Sequence, residues 1–295
     1  SYKNKLTKVK NVLVNNKVLA DKFIIELIEI FNKHNWRIEK SNGGEYSLFD
    51  MFCKRLEELD NDSDRELILE LTNNYLLVGI DEYEKYMIDV FRMFLDKNKE
   101  LIKKIKTIHM FPVQDKNYPG KTKSGNLMCY LFQATFMRRF EEFHDKRVRI
   151  VECLILIDDY VGSGDTLLGC INLLEEKGIK KEIIKSITLV VQKSGKEAIE
   201  KYGVDLYSAI IRNKAITDNY NKEDAEKKIQ QMEGISKKLK VKNKSLYLGY
   251  KKSEGLVTMI KTPNNTFPFY WYEGKRDGKF MMAPFPRRNN VGVDE

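Results

Sequence analysis

The residues best suited to chemistry lie between Leu154 and Leu167, in the stretch LILIDDYVGSGDTL. Aliphatic residues run into two neighbouring carboxylates, Asp158 and Asp159, and a turn of small residues and hydroxyls follows, Gly162-Ser163-Gly164-Asp165-Thr166. A turn of this kind that opens into a helix gathers free backbone N–H groups at the helix N-terminus, where an anion such as a phosphate is favoured. Carboxylates accept hydrogen bonds, so they suit the hydroxyls of a sugar. Phosphate on the turn and diol on the acids together describe a pocket for a phosphorylated ribose. An ordinary strand-to-helix turn with a helix cap has the same outline, but two charges at a strand end are costly without a task. Asp165 is out of keeping with such a turn. At about 4 Å and an effective dielectric near 20, two like charges repel by roughly 4 kcal/mol, so Asp165 must point away from a bound anion or cap the helix that follows.

The elements that must hold this turn follow from apolar spacing. Val148 to Ile157 is nearly continuous aliphatic sequence, as for a strand covered on both faces in a parallel sheet, and it is expected to deliver the acids to its carboxyl end. Leu167, Leu168, Ile171 and Leu174 predict a helix that stops at Gly178. Ile187 to Val191 and Leu206 to Ile211 supply two further strands, with a helix through Ala198 and Ile199 between them. Upstream, Thr107 to Phe111 reads as a strand closed by Pro112, and Leu127 to Phe143 as a helix with Leu131, Thr135 and Phe136 on one face. The alternation predicts an α/β fold, a doubly wound parallel sheet.

Before it, apolar residues at helical spacing mark four helical runs: Leu19, Phe23, Leu27 and Ile30; Leu48, Phe49 and Phe52; Leu67 to Leu77; and Tyr83, Tyr86, Val90, Phe94 and Leu95. Residues 1–105 are therefore read as a helical N-terminal region and 106–295 as the α/β domain. That domain carries a charged, weakly helical excursion from Asn213 to Lys244 and an aromatic C-terminal tail.

Composition narrows the function classes. A chain of 295 residues can bury one large core or a core and a smaller module. No stretch approaches the roughly 20 apolar residues of a membrane span. With no basic, apolar leader in the sequence, a soluble, cytoplasmic chain without a membrane partner is expected. The four cysteines are scattered and His34, His109 and His144 have no triad or metal spacing, so no direct metal site is expected. A net charge of +9, from 52 basic and 43 acidic residues, favours anionic partners without specifying nucleic acid.

The stretch from Leu154 to Leu167 resembles the ribose-phosphate signature of type I phosphoribosyltransferases: aliphatic residues, two acids, two apolar residues and a Ser/Thr-Gly turn. The resemblance implies a sheet of the type I phosphoribosyltransferase kind, with Asp158 and Asp159 on the ribose 2- and 3-hydroxyls and Gly162, Ser163, Gly164, Asp165 and Thr166 around the 5-phosphate. It implies that Lys121, Lys123, Ser124 and Gly125, in the basic loop after the first strand, hold pyrophosphate; a solvated loop fits the same residues. Lys193 falls where purine-specific members place a base-reading lysine. Magnesium would be held through oxygens of the donor, and no organic cofactor is implied. In place of the extra strands and mobile hood of metabolic members, one helix is expected between the basic loop and the acidic strand.

KSGN at Lys123 to Asn126, DDYVGSGDT and the tail from Thr262 to Trp271 are similar to a phosphoribosyltransferase-like subgroup of bacterial conflict systems, including effectors encoded beside retron reverse transcriptases. That likeness implies an antiviral effector, a toxin that transfers or cleaves at the anomeric carbon of a phosphorylated ribose or nucleotide. Its partners would be a reverse transcriptase with single-stranded DNA or RNA, or further copies of the chain. The alternative on the same fold is a non-catalytic sensor of a nucleotide or nucleoprotein. Tyr270 and Trp271 suit either packing at the sheet edge or stacking on a nucleobase.

Overall fold

The computed structural model describes residues 19–40, 46–105, 108–114, 124–136, 140–142, 151–276 and 279–287. The chain divides into two compact units, one of Val78–Lys214 and one that combines Ser1–Leu77 with Ala215–Glu295.

The discontinuous unit begins with three helices, α1 (Asp21–Lys33), α2 (Leu48–Glu57) and α3 (Asp62–Thr72), followed by the two-residue strand β1 (Leu76–Leu77). Each apolar position expected in the first helix is buried, namely Leu19, Phe23, Leu27 and Ile30. Ser47 and Asp50 form a reciprocal capping box at the start of α2, and the Asn61 side chain accepts the Asp64 N–H at 2.8 Å to start α3. The run expected as helix to Leu77 stops at Thr72, because Leu76 and Leu77 pair in parallel with a strand far along the chain.

The continuous unit carries α4 (Ile80–Lys97), α5 (Lys99–Lys104), β2 (Ile108–Pro112), α6 (Ser124–Phe136), β3 (Phe140–Glu142), β4 (Leu154–Val161), α7 (Asp165–Glu176), β5 (Ile184–Gln192), α8 (Lys193–Tyr202) and β6 (Asp205–Arg212). Its five strands form a wholly parallel sheet in the order β3-β2-β4-β5-β6, which confirms the doubly wound α/β expectation. One sheet face is sealed by α7 and α8, where Leu167, Cys170, Ile171, Leu174 and Ile199 meet Leu154, Leu156 and Leu206. Helix α4 packs on β5 and β6, burying Tyr83, Met87, Val90, Phe91 and Phe94. Its Phe94 ring meets Tyr207 of β6 edge-on at 5.4 Å, and its Phe91 ring meets Phe132 of α6 at 5.6 Å. In helix α6 Met128, Cys129 and Phe132 are among the buried residues, whereas Thr135, expected on the apolar face, is exposed.

The chain then returns to the first unit with α9 (Lys222–Lys238), β7 (Val257–Thr258), β8 (Gly274–Arg276) and β9 (Lys279–Met281). Strand β7 is the partner of β1, and β8 and β9 pair antiparallel. Met232 and Ile235 of α9 join Phe31, Phe49, Phe52, Tyr75, Tyr270 and Phe285 in one core. Lys238 of α9 pairs with the buried Asp64 at 2.7 Å, and Lys228 pairs with Glu70 at 2.5 Å.

This division differs from the expected boundary after residue 105. Helix α4, read as part of the helical N-terminal region, is grouped with the sheet, while the charged excursion and the aromatic tail are grouped with α1 to α3. An amphipathic helix declares that it has a partner but does not say which one. Among the described residues, no helix is long and apolar enough to cross a membrane.

Candidate functional site

Counted within its own unit, the sheet has the order 2-1-3-4-5, so the chain leaves β2 toward one edge and leaves β4 toward the other. Ligands of such sheets bind beyond the carboxyl ends of the strands at this switch point. Asp158 and Asp159 lie there. The ladder with β2 ends at Pro112 opposite Ile157, while the ladder with β5 continues through Asp158, Tyr160 and Val161. The acids are thus inside β4 rather than past the strand end expected at Ile157. They still have an open edge, because β2 has already stopped.

Three polar contacts hold the acids. Ser124, the first residue of α6, donates its hydroxyl to Asp158 Oδ1 at 3.0 Å, and the Asp159 N–H donates to the same oxygen at 3.0 Å. Tyr83, in the first turns of α4, donates its hydroxyl to Asp159 Oδ2 at 2.6 Å. Asp159 is buried and Asp158 half-buried. Enclosure in the sheet edge, and then the neighbouring charge of Asp159, push the Asp158 carboxyl well above the usual carboxylate range; the Ser124 and Asp159 N–H bonds partly oppose this.

Glycines allow the approach of α6 and α8. A Cβ on Gly125 would stand 2.7 Å from the Ile157 carbonyl, so only glycine brings the α6 N-terminus this close to β4. A Cβ on Gly195 would stand 2.0 Å from the Gly162 carbonyl, which shows the first turn of α8 packed directly on the Gly162-Ser163-Gly164 turn. Gly164 takes the left-handed conformation, φ 86°, as the residue before α7. The Asp165 N–H points to Ser163 Oγ at 3.4 Å, and the Asp165 side chain is half-buried at the first position of α7, where a carboxylate complements the helix dipole. Gly164, not Asp165, occupies the cap position. Thr166 is exposed.

The other expected site residues are distributed as follows. Lys121 and Lys123 lie outside the described residues, whereas Ser124 and Gly125 form the start of α6. Lys193 is the exposed first residue of α8, directly after β5. Tyr270 is fully buried in the core of the other unit, its ring 4.5 Å from that of Tyr75 and its hydroxyl 3.0 Å from Thr72 Oγ1. Trp271 is also buried, and its Nε1 donates to the Thr266 carbonyl at 2.7 Å. Both aromatics are therefore packing residues, and the expected stacking on a base has no open ring face to use. Tyr270 packs with Phe52, Tyr75 and Phe269, and Trp271 with Tyr272 and the Arg287 guanidinium over its ring. His109 is buried within β2.

The gap before β4 also differs from expectation. Beside α6 it holds the short strand β3, which extends the sheet beyond β2. Among the described residues, no group of three or more His, Cys, Asp or Glu side chains forms a metal cage. The two carboxylates by themselves do not make such a cage, so a magnesium ion here would be held through oxygens of a bound donor. In the sequence Tyr83 reads only as a helix-face residue beside Tyr86, and nothing there marks it as a partner of Asp159.

A family model described as PRTase-CE matches residues 52–287. Among curated proteins, none matches this sequence. Similar solved structures include APRTase from Giardia lamblia complexed with 9-deazaadenine, 16% identical, covering 43% of this chain and 79% of that one with a TM-score of 0.32. Orotate phosphoribosyltransferase from Aeropyrum pernix is 14% identical, with 41% and 68% of the chains covered and a TM-score of 0.28. The Mycobacterium tuberculosis H37Rv orotate phosphoribosyltransferase in complex with 5-phospho-alpha-D-ribosyl 1-diphosphate (PRPP) is 12% identical, with 41% and 70% covered and a TM-score of 0.29.

Proposed function

The chain belongs to the PRTase-CE family, and from that premise we propose that it binds a phosphorylated ribose at the switch point of its sheet and transfers or cleaves at the anomeric carbon. The observation that carries this reading is the meeting of Ser124, Asp158 and Asp159 at the open edge between β2 and β4. In this site the acid pair accepts hydrogen bonds from the ribose hydroxyls, and the backbone of Gly162, Ser163, Gly164, Asp165 and Thr166 with the α7 N-terminus takes the 5-phosphate. Lys121, Lys123, Ser124 and Gly125 hold the pyrophosphate end of a donor. Bound magnesium would offset the negative charge of that pyrophosphate. The bond from C1 to the leaving oxygen breaks through an oxocarbenium-like state, and the electron pair departs with pyrophosphate or base while an acceptor or water bonds to C1. The acids orient the sugar and do not attack it. Lys193, directly after β5, reads the base in this proposal.

The likeness of KSGN and DDYVGSGDT to conflict-system proteins supports a role as a toxin-like effector of bacterial antiviral defence in the cytoplasm, with a retron reverse transcriptase and its single-stranded DNA or RNA as partners. Asp165 favours a second reading, a sensor that binds a nucleotide without turning it over, since its carboxylate at the start of α7 weakens the site for a highly charged donor.

The test is calorimetric titration of PRPP with magnesium into the wild-type chain and an Asp158→Asn, Asp159→Asn double variant. Binding by wild type that is lost in the folded variant supports the site; no binding by wild type removes the donor reading. Release of pyrophosphate or base from a bound ligand separates enzyme from sensor.

A further inference from the structure

Asp158 and Asp159 are consecutive, and consecutive side chains of a regular strand point to opposite faces of the sheet. Their partners nonetheless belong to helices that share a face. Ser124, which meets Asp158, begins α6, and Tyr83, which meets Asp159, lies on α4; these helices touch through Phe91 and Phe132. The sheet therefore departs from regular alternation at the acids.

The departure runs across three strands. β4 pairs with β5 at Asp158 and Thr188 and again at Tyr160 and Val190, while β5 pairs with β6 at Thr188 and Ser208 and again at Val190 and Ile210. Asp159, Leu189 and Ala209 are skipped in one row, with no change of register. Strands β4 and β5 change face across it. Leu154, Leu156 and Val161 of β4 all join the core formed with α7 and α8, as do Ile184 and Val191 of β5, although residues an odd number apart on a regular strand face opposite sides. The same side-chain bond spans the row twice: the Thr188 hydroxyl donates to the Val190 carbonyl at 3.2 Å, and the Ser208 hydroxyl to the Ile210 carbonyl at 3.1 Å. Two residues of regular strand extend roughly 6.6 Å, so each bond draws its chain in over the skipped residue. Thr188 is fully buried, where valine would have the same shape and only the hydroxyl would be lost.

We propose that Thr188 is a positioning residue of the sugar site: its hydroxyl, fastened to the Val190 carbonyl, holds the kink that turns Asp158 and Asp159 toward one ligand. Ser208 repeats the bond in the next strand and supports it. Thr188 acts through Asp158, its partner in the ladder, and through the skipped row that contains Asp159. Without the kink the two acids return to opposite faces, and one sugar no longer meets both.

For its ligand this role rests on the ribose-phosphate reading above, so the first arm of the test needs no ligand. The full chain is labelled with carbon-13 at the tyrosine Cζ, whose NMR shift reports the hydrogen bond of each phenol. Tyr83→Phe identifies the Tyr83 signal, and Asp159→Ala marks its value without the carboxylate. Thr188→Val is expected to move the signal most of the way to that value and Ser208→Ala part of the way, whereas Thr188→Ser, which keeps the hydroxyl, leaves it in place. The second arm is calorimetric titration of PRPP with magnesium. Affinity is expected to fall about tenfold in Thr188→Val and to stay within about threefold of wild type in Thr188→Ser. A signal that Thr188→Val does not move, or that Thr188→Ser moves as far, overturns the role, as does PRPP bound equally by wild type and Thr188→Val. Where Thr188→Val fails to fold, Ser208→Ala decides in its place, and an unmoved signal there overturns the role. A wild type that ignores PRPP while the Tyr83 signal follows the hydroxyl removes the ribose-phosphate reading and leaves the positioning role standing.

Discussion

Ser124 Oγ lies 3.0 Å from Asp158 Oδ1, and this one bond joins the chain returning from β2 to the acid at the end of that strand's ladder with β4. It brings the first turn of α6 and the acid of β4 together at the edge of the sheet. Replacing Ser124 with alanine removes a donor that opposes the upward displacement of the Asp158 carboxyl, so that carboxyl is expected to hold its proton to still higher pH. Hydrogen bonds to charged groups contribute about 1.5–3 kcal/mol, and affinity for PRPP with magnesium is expected to fall by at least about tenfold. Calorimetry at fixed pH checks this, and an unchanged affinity would mean that the bond is incidental to the site.

A carboxyl displaced upward links stability to pH in a definite direction. Between the ordinary aspartate value, about 3.9, and its raised folded value, Asp158 binds more proton in the folded chain than in the unfolded one. Stability is therefore lost as pH rises through that window, and the loss persists above it. Asp158→Asn removes the penalty. Its Tm is expected to exceed that of wild type at neutral pH by about 2–4 °C, for a stabilisation on the order of 1 kcal/mol, with the difference vanishing in acid. Thermal scans across pH that superimpose for the two proteins would count against a proton held on Asp158.

The Gly162-Ser163-Gly164 turn, proposed above to receive the phosphate, depends on glycine in the helix behind it. Alanine at 195 places a methyl 2.0 Å from the Gly162 carbonyl, and backbone must move to admit it. Overpacking of this kind costs about 1–3 kcal/mol, and the displaced turn is expected to lose phosphate as well. Gly234→Ala is the control: an added Cβ meets nothing within 4 Å inside α9, so the change is expected to stabilise by about 0.5–1 kcal/mol. Denaturant midpoints of the two variants should move in opposite directions.

Much of the sheet was legible because its strands are continuous aliphatic runs and its breaks fall at glycines, as at Gly178 and Gly203 with their positive φ. The acids and the Gly-Ser-Gly turn were legible for the same local reason, since strand, turn and helix are contiguous. The end of β4 was misplaced because charged residues usually stop a buried strand, yet pairing with β5 carries the ladder through Asp158 to Val161. Tyr83 was invisible because it lies 76 residues from Asp159, and a phenol on an apolar stripe reads as core. Non-local pairing also hid the division of the chain. Leu76 and Leu77 need Val257 and Thr258 to become strand, and Arg55 of α2 reaches the Phe269 and Tyr272 carbonyls at 3.0 and 2.5 Å.

That last packing gives a test of the aromatic tail. Tyr270 is enclosed by Tyr75, Phe52 and Phe269, and its hydroxyl meets Thr72 Oγ1 at 3.0 Å. Tyr270→Phe keeps the ring and loses one buried hydrogen bond, which is expected to cost about 0.5–1.5 kcal/mol. Tyr270→Ala opens a cavity among the aromatics and is expected to cost about 3–5 kcal/mol. A ring that served mainly to stack on a base would give the opposite pattern, with little change in stability for either variant and weaker ligand binding for alanine alone. Urea unfolding followed by tryptophan fluorescence distinguishes the two, because Trp36 packs on Phe52 and Tyr75 in the core that contains the ring.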